Sequence, residues 1–222
     1  MHRFDVRHPW DVTPTEARRI QEMLRREVVT EDALGEVSLV AGVDVGFGAR
    51  GRIARAAVVT LRLPELSPHE QVVACRPVAF AYVPGLLSFR EAPVVLDALA
   101  KLSVLPDLLL CDGQGIAHPR RFGIACHLGI LTGIPAIGVA KSCLVGTYGQ
   151  LGEEKGSRVP LLHREEVIGA VLRSRKGVSP LFVSAGHRIG LESSVRYVMA
   201  CLTRFRLPET TRLAHRLASG SR

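Results

Sequence analysis

Apolar positions change period along the chain, and each change marks an element. Ala17, Ile20, Leu24 and Val28 recur at helical spacing behind Thr13-Pro-Thr-Glu16. That tetrad is a capping-box pattern with proline at the first helical position, so a helix is predicted to about Thr30. Three extended segments follow, Ser38–Phe47, Ile53–Leu63 and Gln71–Tyr82, joined by short loops bearing glycine or proline. They read as an antiparallel meander. Helical spacing returns from about Ser88 to Leu102. The apolar runs Asp107–Asp112 and Pro135–Ala140 read as buried strands around a helix, Arg120–Leu131, which predicts parallel pairing in a βαβ unit. Val159–Leu162 and Glu166–Ser174 suit a polar-edged hairpin and Leu181–Ala185 a short strand. Ser193–Leu202 and Thr210–Ala218 suit helices, the last one basic. The pattern predicts one α/β domain over residues 1–222. Its core would be a mixed five-stranded sheet flanked by helices, with three antiparallel strands and then the parallel βαβ pair.

Composition narrows the class. At 47% hydrophobic residues the chain should be globular. No apolar run approaches the ~18–20 residues that cross a bilayer. The first ten residues lack the apolar core of a signal peptide, so no membrane partner and a cytoplasmic location are expected. Five scattered cysteines (75, 111, 126, 143, 201) without a C-x-x-C read as free thiols, not zinc ligands. The net charge of +8 is uneven: residues 155–222 carry 13 Lys/Arg against 4 Asp/Glu. A basic C-terminal third fits a polyanionic partner such as nucleic acid, or a merely solvated surface.

Several side chains could carry chemistry. Asp44 lies inside an apolar strand, where a charge is costly unless it is paired or binds a metal. The plainer reading is that it faces solvent. Asp112 ends the buried run Leu108-Leu-Leu-Cys111, at the rim where open α/β sheets hold ligands. Ser88-Phe-Arg-Glu91 is itself a capping-box pattern, so Glu91 is either a cap or a third acid beside Asp44 and Asp112. Such a trio repels itself unless hard cations neutralise it, and Mg²⁺ or Mn²⁺ is the natural choice. Two such metals serve phosphodiester cleavage by activating water and stabilising the leaving oxygen.

Other positions leave more than one reading. His118 is an ordinary loop histidine or a proton-transfer or phosphate-binding group. Lys141, one of only four lysines, is a strand-end charge or a contact to a scissile phosphate. Tyr82, in Phe80-Ala-Tyr-Val-Pro84, is core or a wedge that stacks on bases. Gly113 and Gly115 would let the backbone approach a phosphate. Gly46-Phe-Gly-Ala-Arg-Gly51 matches a dinucleotide fingerprint, but the β-branched residues after it predict a hairpin turn instead. His187 and His215 are weak signals taken singly.

These motifs resemble the endonuclease V family, repair nucleases of deaminated purines. The resemblance runs from Asp44 to His215. It rests on Val-Asp44-Val, Tyr82-Val-Pro-Gly-Leu-Leu-Ser-Phe-Arg90-Glu91, Asp112-Gly-Gln-Gly-Ile-Ala-His118-Pro-Arg, Gly138-Val-Ala-Lys141-Ser and Ser184-Ala-Gly-His187. It implies a ribonuclease H-like fold and Mg²⁺-dependent hydrolysis, with Mn²⁺ able to substitute. The cut would fall at the second phosphodiester bond 3′ to inosine in DNA, leaving a 3′-hydroxyl and a 5′-phosphate. By motif, Asp44, Glu91 and Asp112 correspond to the metal-centre acids, and His118 and Lys141 to positions near the scissile phosphate. His215 corresponds to a metal-proximal position that is acidic in some relatives. Tyr82, Val83, Pro84 and Gly85 fall in the strand-separating wedge, with Arg90 beside it. One departure is Ala81, where the family's Pro-Tyr-Ile-Pro has its first proline; this would loosen the wedge. Single-stranded DNA or RNA is a further expected partner, and the protein is expected to be a monomer. Two alternatives stay open: an inosine-specific ribonuclease of the same architecture, and a non-catalytic nucleic-acid binder using the basic C-terminal third.

Overall fold

The computed structural model describes residue 4 and residues 6–220. Its strands form one mixed sheet. β1 (Leu39–Gly48), β2 (Ile53–Arg62) and β3 (Ser67–Pro77) make the antiparallel meander. β4 (Leu108–Cys111) lies parallel to β1, and β5 (Ala136–Ala140) parallel to β4. Three more strands are β6 (Arg158–His163), β7 (Glu166–Leu172) and β8 (Leu181–His187). The order is β3-β2-β1-β4-β5-β8-β7-β6, an eight-stranded sheet instead of the expected five. β8 is buried along its whole length and β7 over most of it, so both need strand partners and cover on both faces. β8 therefore pairs antiparallel with β5, and the hairpin continues the sheet beyond it.

Helix α1 (Pro14–Leu24) has the predicted capping box. The Glu16 N–H donates to the Thr13 hydroxyl at 3.3 Å, and the Thr13 N–H donates to the Glu16 carboxylate at 2.7 Å. It ends before the predicted Thr30, passing into a short 3₁₀ turn over residues 25–27. α2 (Leu87–Leu99) and α3 (Ile124–Thr132) cover one face of the sheet, against Ala41, Val43, Leu109 and Cys111. The helix predicted from Arg120 starts only at Ile124, after an irregular loop. α4 (Leu191–Ala200) and α5 (Glu209–Ala218) cover the other face, against Val40, Leu108, Val59 and Leu61.

Alternation along β1 sends Gly42, Asp44 and Gly46 to the α5 side. A Cβ at Gly42 would fall 2.1 Å from the Thr210 carbonyl carbon, and one at Gly46 would fall 2.6 Å from the Ala218 oxygen. Only glycine lets α5 rest this close to the strand. The Gly46–Gly51 segment is a strand end and a tight turn into β2, as its β-branched sequel predicted. No described helix is long and apolar enough to cross a membrane. All five cysteines are free.

Candidate active site

β1, β4 and β5 run parallel, so their C-terminal ends share one edge. Val43 stands beside Cys111 in register, which places Asp44 next to Asp112. The Asp112 N–H donates to the Val43 carbonyl at 3.1 Å and fixes that juxtaposition. The two carboxylates are 12% and 15% exposed, so Asp44 does not point to solvent. Lys141, directly after β5, forms an ion pair with Asp112 Oδ2. The close seat of α5 brings His215 Nδ1 to 2.8 Å from Asp44 Oδ2. Asp44, Asp112 and His215 offer ligand atoms that all lie within 4.8 Å of one another.

Glu91 approaches from the second turn of α2, buried. It is not a cap: the helix starts at Leu87, and the Ser88 hydroxyl is bonded to His127 instead. Burial pushes the Glu91 carboxyl up to about 8, reinforced by the Asp44 and Asp112 charges and opposed only by Arg90. Asp112 is raised as well, by burial first and then by Asp44, against the pull of Lys141. Acids that repel each other out of water are short of positive charge. An oxygen-rich set with one imidazole suits a hard divalent cation.

A cavity of about 360 Å³ opens beside the acids. Its walls are the 82–85 loop, the start of α2, Asp112–Gln114, Ile124 and Lys141–Leu144. Tyr82 stands at this cavity with 70% of its surface exposed, so it is not core. The Gly85 carbonyl accepts three hydrogen bonds, from Gln21 Nε2 at 3.0 Å, Arg120 Nη2 at 2.7 Å and His118 Nε2 at 2.9 Å. His118 is buried, and burial holds its pKa down to about 4. A carbonyl can only accept, so Nε2 carries the proton, and Nδ1 accepts from the Arg120 N–H at 3.1 Å. Both ring nitrogens are thus engaged by protein, on the wedge side of the cavity.

Two expected contacts turn out differently. Arg90 does not line the cavity. It donates to Phe80 O at 3.1 Å and Gly51 O at 3.3 Å and stacks 4.4 Å over Phe47. Nor do the loop glycines leave room for a phosphate on their Cβ sides. A Cβ at Gly115 would fall 2.1 Å from Ala185 O, and one at Gly113 2.6 Å from the Ile124 side chain. Their absent side chains make space for β8 and α3.

Gln21 carried no signal in the sequence, and Arg120 entered only as the last residue of the motif that starts at Asp112; the fold brings both to Gly85. His187 accepts from the Val29 N–H at 3.3 Å, an anchor for the segment after α1.

Comparison with known proteins decides the family. The profile named Endonuclease V matches residues 22–216. The chain belongs to the endonuclease V family. A relative named Endonuclease V from a Nostoc species is 58% identical over 213 residues, covering 96% of each chain. The crystal structure of endonuclease V from Streptomyces avermitilis superposes with a TM-score of 0.90 at 43% identity, covering 96% of this chain and 94% of that one. The fold is therefore the ribonuclease H-like one. A Ciona intestinalis endonuclease V, 28% identical with a TM-score of 0.83 and covering 94% of this chain and 98% of its own, was crystallised with DNA containing an inosine followed by a ribo-adenosine. Endonuclease V enzymes are hydrolases, and the family implies a divalent metal, for which the acid cluster is the candidate site.

Proposed function

We propose that the protein is a Mg²⁺-dependent repair endonuclease. It recognises inosine in DNA and hydrolyses the second phosphodiester bond on the 3′ side, leaving a 3′-hydroxyl and a 5′-phosphate. The observation that carries this reading is the buried, self-repelling acid cluster beside a cavity with an exposed tyrosine at its wall. Asp44 and Asp112 would hold the metal, with Glu91 and His215 completing its surroundings. The bound cation, which Mn²⁺ could replace, supplies neutralising charge and activation of water. Lys141, kept beside Asp112, meets the negative charge of the phosphate. The cavity receives the everted base, and the Tyr82 ring fills the gap left in the stack. Gln21, His118 and Arg120 hold the 82–85 loop in place for that contact.

The test is cleavage of an inosine-containing duplex with Mg²⁺ and with EDTA, mapped to the nucleotide. We expect a metal-dependent cut one nucleotide beyond the inosine's own 3′ bond. Cleavage that ignores inosine or survives EDTA would overturn the reading. The ribo-adenosine in the Ciona complex gives a second reading some support, an enzyme that prefers inosine in RNA. Matched DNA and RNA oligonucleotides in the same assay separate the two, since only contacts to the 2′-hydroxyl distinguish them.

A further inference from the structure

A second cavity, of about 390 Å³, is lined by Arg25, Pro119, Arg121, His163, Arg164 and Glu166. The loop that follows Asp112 separates it from the first. His118 and Arg120 of that loop bond Gly85 at the first cavity, while Pro119 and Arg121 line the second. α1 and the 3₁₀ turn after it bridge the two in the same way: Gln21 of the helix binds Gly85, and Arg25, at the start of the turn, lines the second cavity.

The lining is short of negative charge. Among the described residues, Arg121 is the only guanidinium there with a protein partner, donating to Glu166 Oε2 at 2.7 Å and to His163 Nδ1 at 3.0 Å. A guanidinium has no acceptor, so His163 Nδ1 must accept, and the remaining ring proton of a neutral His163 sits on Nε2. Among the described residues no side-chain hydrogen bond or ion pair engages Arg25 or Arg164. Arg164 also occupies the two-residue turn between β6 and β7, where it and Glu165 take φ values of 54° and 67°. Asn-Gly is the favoured pair for such a turn. Here the turn places a long cation at the tip instead.

We infer that this cavity is a subsite for a backbone phosphate of the nucleic acid whose reacting part occupies the first cavity. Planar guanidinium groups match a phosphodiester's paired oxygens. A strand crossing the shared loop would meet both cavities. The inference rests on the endonuclease reading above.

The experiment compares wild type with the Arg25→Gln/Arg164→Gln double variant on an inosine-containing duplex. Binding is followed in EDTA across a salt series, and cleavage in Mg²⁺. We expect about tenfold weaker binding near 0.1 M salt and a salt slope smaller by about one, with kcat at saturating duplex unchanged. An Arg19→Gln/Arg175→Gln variant, equal in charge at exposed positions outside the cavity, should lose much less. Inorganic phosphate is the probe for a free-anion site. The inference is overturned if the double variant keeps wild-type affinity and slope, or loses no more than the control. It is also overturned if phosphate alone raises the Tm of wild type but not of the variant while duplex affinity is equal. Wild-type failure to cleave inosine DNA would instead remove the functional reading on which it rests.

Discussion

The acids at the sheet edge and the histidines packed between α2 and α3 are both largely out of water, yet only the histidines pair without enclosing charge. The His8 Nδ1–H donates to Pro9 O at 2.9 Å, which leaves His8 Nε2 to accept from His127 Nε2–H at 2.7 Å. His127 Nδ1 then accepts from the Ser88 hydroxyl at 2.9 Å. Burial lowers the pKa of both rings, so the chain is neutral, and Trp10, Phe89 and Phe122 pack around it. Each polar atom has one partner and no charge is enclosed. The acids differ in that they enclose charge, of which Lys141 on Asp112 and the more distant Arg90 offset only part. A fold tolerates such a cluster only where a ligand completes it, whereas a satisfied chain specifies packing.

The sharpest break of that contrast is Asp112→Asn. The amide keeps an oxygen for Lys141 but removes a metal-binding charge. Loss of several kcal/mol of transition-state stabilisation should cut the cleavage rate by about 10²–10⁴-fold. Removing a repelling acid should leave the metal-free Tm level or higher. Rate and Tm falling together would show that Asp112 holds the fold.

The two clusters should also respond to pH with opposite signs. Glu91 is raised to about 8 in the fold from an ordinary value near 4.5. Its folding penalty is absent below about pH 4.5 and grows as pH rises towards 8, reaching on the order of 4 kcal/mol. The histidines are lowered, so their contribution is intact above about pH 6.5 and is lost as pH falls below it. Denaturant unfolding in EDTA from pH 5 to 9 should therefore show an alkaline loss that Glu91→Gln removes and divalent metal suppresses. An unchanged alkaline slope in Glu91→Gln would assign the loss to another group.

The sequence made the acid half of this contrast legible and hid the other half. Asp44 and Asp112 stood out because a carboxylate ending or interrupting an apolar strand breaks its pattern. Parallel pairing of their strands then had to bring them together. Glu91 was ambiguous because Ser88-Phe-Arg-Glu91 scans as a cap. Only the helix start at Leu87, two residues too early for Ser88 to cap, resolves it. His8 and His127 broke no pattern that could be read, one lying in an irregular segment and the other inside an apolar helix. Their pairing spans 119 positions and depends on tertiary contact alone. The strands β6, β7 and β8 were read in the sequence, but that they join the central sheet was missed for a similar reason. The hairpin's periodicity shows two strands, but its docking on β8 is a matter of which edge remains unpaired.

Ser88→Ala tests the satisfied cluster, with the smallest expected effect. It removes the donor to His127 Nδ1 and leaves a buried acceptor unpaired. The ring cannot escape by changing tautomer. Moving its proton to Nδ1 would leave Nε2 facing His8 Nε2, itself an acceptor because Pro9 O fixes the His8 proton on Nδ1. The cost should be about 2 kcal/mol, a Tm decrease of roughly 4–8 °C. Ser88→Thr, which keeps the hydroxyl, should recover part of it. The alkaline slope set by Glu91 should persist in both variants, because this chain carries no charge to the acids. A Ser88→Ala protein as stable as wild type would mean that the histidine chain is not held by its hydrogen bonds, and the contrast with the acids would reduce to charge alone.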